Sequence, residues 1–128
     1  MGSEVTESIV DLSVPRRMLA AVDTDIERFF GFFAENAVFR MGNNDLISGR
    51  RAITAWIRGY LGLVTGLSHD ILEEFSAGDV VALRVEVTYT MRDGSVFTLP
   101  AVTRARIRGD EVTEYLIFMD PSPVARAS

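Results

Sequence analysis

Residues 80–119, VVALRVEVTYTMRDGSVFTLPAVTRARIRGDEVTEYLIFM, decide the fold. β-Branched and aromatic residues fill three runs: Val80 to Met91, Val96 to Arg108 and Glu111 to Met119. Arg92-Asp93-Gly94 and Arg108-Gly109-Asp110 separate them, and both are turn formers. A break of the same kind, Ala77-Gly78-Asp79, closes an earlier run from Leu67 to Phe75. The spacing predicts four hairpin-linked antiparallel strands. On the second of them Val81, Leu83, Val85, Val87 and Tyr89 share one face, and Arg84 and Glu86 share the other.

Upstream the period changes. Pro15 opens a short helix, Arg16 to Val22, and Asp23-Thr24 offers the N-cap of a second that carries Ile26, Phe29, Phe30 and Phe33. Ala37 to Met41 reads as a short strand that stops at Gly42-Asn43-Asn44-Asp45. From Arg50 to Leu61, the positions Ile53, Trp56, Ile57, Tyr60 and Leu61 follow the spacing of a packed helix. Helices first and a meander afterwards is the order of an α+β domain, with helices over one face of an antiparallel sheet.

A chain of 128 residues fits one domain. Its expected limits are 13–121, between a flexible N-terminal tail, 1–12, and a C-terminal tail, 122–128. The net charge of −5 argues against a nucleic-acid partner, because phosphate binding needs a basic surface. Cysteine is absent and His69 is the one histidine, so neither a thiolate nor a multi-histidine metal site can be built within one chain. No segment is apolar for the 18 or so residues of a membrane span, and no basic stretch followed by a long apolar one opens the chain. The expected location is cytoplasmic.

The order of elements carries several local motifs: Phe33-Ala34-Glu35-Asn36-Ala37-Val38, Gly49-Arg50-Arg51-Ala52-Ile53, Arg84-Val85-Glu86, Thr98-Leu99-Pro100-Ala101-Val102 and Phe118-Met119-Asp120. As an ordered set they resemble the nuclear transport factor 2-like superfamily, in its SnoaL-like and limonene epoxide hydrolase-like branch. The resemblance covers Asp23 to Pro121. It implies a cystatin-like, cone-shaped barrel, in which a curved antiparallel sheet and the N-terminal helices enclose a pocket. It also implies no metal or organic cofactor, and a homodimer through the outer face of the sheet. Members include isomerases, cyclases, dehydratases, epoxide hydrolases and proteins without known chemistry.

The epoxide hydrolase pattern implies a tyrosine and an asparagine two apart on the first strand, and an aspartate on the last. This chain has Phe39, Met41 and Ile117 there, which neither take a proton nor hold a water. The position of the ketosteroid isomerase base falls at or beside Met41. Epoxide hydrolysis by the family route is not expected. Asp45 reads as loop chemistry and Asp120 as a strand-end residue.

Three polar residues remain as catalytic candidates. The resemblance turns Arg84 and Glu86 into the cone and the valine face toward a second subunit, whereas plain alternation makes them a solvent pair. His69 is in phase with Leu67 and Ile71 and could move a proton near neutral pH, although no acidic partner is visible in the sequence. Phe39, Met41, Trp56, Tyr60, Tyr115 and Ile117 are the candidate ligand contacts, with Tyr89 a further aromatic surface. The expected function is cofactor-independent handling of an apolar or aromatic small molecule, by isomerisation, cyclisation or dehydration if it is an enzyme. The alternative is a non-catalytic binding or dimerisation module.

Overall fold

The computed structural model of the protein describes residues 10–127. The chain runs α1 (Val14–Thr24), α2 (Ile26–Gly31), β1 (Phe33–Met41), β2 (Ile47–Ser48), α3 (Arg50–Tyr60), β3 (Val64–Ala77), β4 (Val80–Met91), β5 (Val96–Arg108), β6 (Glu111–Phe118) and α4 (Ser122–Ala127). The strands form one six-stranded sheet, in the order β2-β1-β6-β5-β4-β3. The meander is antiparallel, as its turns require, but β1 lies parallel to β6, with Phe39 opposite Tyr115 and Met41 opposite Ile117. No helix among the described residues is long and apolar enough to cross a membrane.

Pro15 sits in the first turn of α1, where its missing N–H costs nothing. That helix runs to Thr24, so Asp23 and Thr24 close it instead of capping the next one. The cap of α2 is Asp25, whose carboxylate accepts the Arg28 N–H at 3.3 Å. The short α2 buries Phe29 and Phe30 and stops at Gly31, which leaves Phe33 to begin β1. At the far end of β1, Gly42 turns with φ +57°, where any side chain would meet the Met119 carbonyl at 2.9 Å.

Two expectations about the ends are corrected. Residues 122–127 form α4 instead of a loose tail, because Val124 is fully buried against Val87, Tyr89 and Met91. Asp120 is the residue that starts this helix, its carboxylate accepting the Ser122 N–H at 3.0 Å. At the other end Asp11 N–H donates to the Gly109 carbonyl at 2.9 Å, which ties residues 10–12 to the β5–β6 turn. Residues 1–9 of the expected tail, and Ser128, lie outside the described residues.

The larger correction concerns β4. Val81, Leu83, Val85, Val87 and Tyr89 are all buried, the first three in the core under α1 to α3 and the last two against Tyr60 and Val124. Arg84 and Glu86 are exposed on the outer side of the sheet. Arg84 Nε donates to Glu73 Oε1 on β3 at 2.5 Å, with both side chains about half exposed. The apolar faces of α1, α2 and α3 can be covered only by the apolar face of the sheet, so the valines turn inward and the charged pair turns out.

Candidate functional site

The inner wall of the cone is assembled by register. Phe39 and Met41 of β1 stand beside Tyr115 and Ile117 of β6, and Ile117 is opposite Thr103 of β5. Along β5 the inward residues Ala101, Thr103 and Ala105 are small. Between the bulky side chains of β1, β6 and β4 these short ones leave space unfilled. The cavity has a volume of about 60 Å³ and opens to solvent through its mouth. That is less than half of the roughly 150 Å³ in which an engineered apolar cavity holds a benzene, so a ring-sized molecule has to extend into the cavity's mouth.

Five of the six expected ligand contacts, Phe39, Met41, Tyr60, Tyr115 and Ile117, line this cavity. Trp56 does not. It lies behind the wall, stacked on Tyr60 with ring centroids 5.5 Å apart and tilted against Phe39 at 5.6 Å. It supports the lining and leaves the contact to its neighbours. Arg84 and Glu86 are absent from the cavity altogether, since their faces point away from it.

His69 is where the sequence places it, facing inward from β3 and lining the cavity. The structure adds the partner that no spacing could reveal. Asp23, in the last turn of α1, accepts two hydrogen bonds from His69: Nδ1 lies 2.7 Å from Oδ1, and the backbone N–H reaches Oδ2 at 3.0 Å. Both side chains are largely buried, at 11% and 21% exposure. A carboxylate that accepts at both oxygens requires the proton on Nδ1, so in the neutral ring Nε2 carries the lone pair. Asp23 does not line the cavity and His69 does, so Nδ1 faces away from the space and Nε2 is the nitrogen left for it. Asp23 also stands against the unfavourable, negative end of the α1 dipole, a local penalty that the two bonds from His69 offset.

The remaining polar atoms of the cavity are hydroxyls. Tyr60 Oη donates to Tyr89 Oη at 3.0 Å, and Tyr89 Oη in turn points at the Met119 sulfur at 3.9 Å. Burial, and secondarily the adjacent Tyr60, pushes the Tyr89 phenol well above its ordinary value, and burial raises Tyr60 too. Tyr115 is raised by complete burial, which the nearby Thr103 hydroxyl only partly offsets. Thr103 Oγ1 itself is buried without a well-formed hydrogen bond. Among the described residues no three His, Asp or Glu side chains converge as metal ligands would.

A small apolar cavity inside an α+β cone, with one His–Asp pair at its wall, is the setting in which the comparisons with known proteins belong. The profile of the SnoaL-like domain matches residues 16–115, and the chain belongs to that family. No curated protein matches the sequence. Among solved structures it is similar to a ketosteroid isomerase-like fold from Catenulispora acidiphila, crystallised with trimethylamine, at 20% identity and TM-score 0.74 over 84% of this chain and 85% of that one. It is likewise similar to a protein from Shewanella putrefaciens described as a SnoaL-like polyketide cyclase, at 17% identity and TM-score 0.74, covering 89% and 92% of the two chains. A third is TerC co-crystallised with polyporic acid, at 16% identity and TM-score 0.75 over 90% and 95%. At these identities the likeness is one of fold.

Proposed function

We propose that the protein is a cofactor-independent acid–base catalyst acting on an apolar or aromatic small molecule, with His69 as the proton carrier. The observation that carries this reading is the Asp23–His69 pair at the wall of an otherwise apolar cavity. Asp23 fixes the ring and its tautomer, so that Nε2 removes a proton from bound substrate and returns it at another atom. Isomerisation, cyclisation and dehydration all need only that exchange. The SnoaL-like family and its polyketide cyclase-like neighbours support the same class of chemistry.

The test is conversion of a small-molecule extract followed by mass spectrometry. Wild-type protein should consume one species and produce another of equal mass, or of mass lower by one water. His69→Ala and Asp23→Asn should both stop the conversion. Turnover that survives both substitutions removes the reading, and retention of an unchanged ligand by the wild type assigns the cavity to binding alone.

A homodimer through the outer sheet face belongs to the same proposal, on a different motive from the valine series of β4. The outer face carries Val96, Pro100 and Val102 on β5 beside Leu116 and Phe118 on β6, and Val96 and Phe118 are more than half exposed. Thr88 and Thr98 pair next to them at 3.1 Å. An apolar strip of this kind, rimmed by ion pairs such as Arg84–Glu73 and Arg104–Glu114, suits a second copy of the same surface.

A further inference from the structure

A second space shares the rim of the cavity. Val22, Leu61 and Leu67 line the cavity and also line a surface cleft of about 430 Å³, set between the ends of α1 and α3 and the start of β3. The shared residues make this cleft the vestibule of the cavity. A ring that the cavity cannot enclose alone extends this way, so the vestibule meets whatever group the ring carries.

The vestibule has the chemistry of a cation site. Both helices that reach it do so with their C-terminal ends, α1 through Asp23 and Thr24, and α3 through Arg58 and its cap Leu61. The carbonyl ends of helix dipoles are negative, and α1 has no basic residue in its last turn. Asp23 adds a carboxylate. Its two bonds from His69 leave about two of its four lone-pair sites open, and a neutral imidazole does not cancel its charge. The part of this side chain that is exposed lies on the vestibule side. Thr24 and Thr65 donate their hydroxyl hydrogens to the Ala20 and Thr90 carbonyls, at 3.0 and 3.3 Å, which leaves both oxygens as acceptors. Arg58 is the one cation among the described residues of this wall, and its guanidinium turns to α2, where it pairs with Glu27 and lies over the Phe30 ring at 5.0 Å.

We propose that the vestibule holds the ammonium group of an amine whose apolar ring enters the cavity, with Asp23 as its counter-charge. This narrows the ligand class of the proposed function, and it rests on the cavity as the ligand site, not on proton transfer at His69. The ammonium donates to the open lone pairs of Asp23 and to the hydroxyl oxygens of Thr24 and Thr65. Leu67 stands on the shared rim and His69 inside, on the same face of β3. At a strand rise of about 3.3 Å per residue they are about 7 Å apart, which a spacer of about two to four carbons between ring and nitrogen covers. An anion of the same size would face Asp23 and two negative helix ends, so the vestibule selects by charge where the cavity selects by shape.

Isothermal titration calorimetry with probes of one shape and different charge tests this: 3-phenylpropylamine, 3-phenylpropan-1-ol and 3-phenylpropanoate. Wild-type protein should bind the amine about tenfold more tightly than the alcohol, and the carboxylate more weakly than either. Thr24→Lys sets a fixed ammonium beside Asp23 from an exposed position and leaves the Asp23–His69 pair in place. It should erase the advantage of the amine and keep the affinity for the alcohol. Asp23→Asn should erase that advantage too. Equal affinities of the wild type for amine and alcohol overturn the proposal, as does an amine preference unchanged in either variant. Failure of all the probes to bind at millimolar concentration overturns the ligand class. Binding is read without turnover, so a wild type that prefers the amine and converts nothing loses the acid–base reading and keeps this one.

Discussion

Thr103 is a threonine where the packing asks for a valine. Its hydroxyl is buried on the cavity wall with no well-formed bond, while its methyl packs with Ile117 and Leu83 as register neighbours. Thr103→Val should raise stability by about 1 kcal/mol, because an unsatisfied buried hydroxyl is removed at nearly constant shape; thermal denaturation checks it. Asp23 behaves in the opposite sense. Asp23→Asn offers one acceptor oxygen where His69 needs two, so the imidazole is free to adopt either tautomer. The ¹⁵N spectrum of His69 should then show a mixed tautomer, and a variant that keeps the wild-type pattern would deny Asp23 its role. Asp11 gives the pH dependence: the Ser13 hydroxyl first, and then its backbone N–H, hold this carboxyl below its ordinary value of 3.8. A lowered folded value means a contribution present above the unfolded value and lost as pH falls through the folded one. Asp11→Asn should therefore differ in urea midpoint from wild type at neutral pH and converge with it in acid.

At the scale of the elements, the inward turn of β4 has a direct consequence for its charged residues. Arg84→Met and Glu73→Gln should each change stability by about 0–1 kcal/mol and leave ligand binding alone, as exposed ion pairs do. By contrast, Val124→Ala in the last helix should cost about 2 kcal/mol, since the side chain is fully buried beside Val87, Tyr89 and Met91. Chemical denaturation of the three variants separates the two cases. These residues also show how far a sequence can be read. Alternation divided β4 into two faces correctly, but a period of two says only that faces differ and not which one the helices cover. The family resemblance then assigned the wrong one. Strand limits of β4 and β5 were legible because glycine-bearing turns bracket them, whereas the parallel pairing of β1 with β6 leaves no local mark. Likewise His69 was visible as an inward histidine, but Asp23 stands 46 residues away and belongs to another element. Its one signal was a carboxylate in the last turn of a helix, against the dipole.

For the molecule as a whole, the exposed strip of β5 and β6 makes the proposed dimer testable without disturbing the cavity. Light scattering at micromolar concentration should give twice the chain mass, and Val102→Glu, on the outer face beside Phe118, should halve it. A wild-type monomer under those conditions removes the dimer and leaves the catalytic proposal standing. The parallel pairing of β1 with β6 has a different kind of consequence, one of timing. The three hairpins of β3 to β6 can close as they leave the ribosome, but residues 33–41, flanked early only by the two-residue β2, find their long sheet neighbour only once residues 111–118 exist. At about 5–20 residues per second, the segment with Phe29, Phe33 and Phe39 waits on the order of several seconds with its aromatic rings uncovered. A nascent chain arrested before Glu111 should be cleaved readily near these phenylalanines, and one extended past the last helix should resist. The cone is thus closed by the end of the chain, and losing its final strand should be far more damaging in the cell than a nick at any hairpin tip.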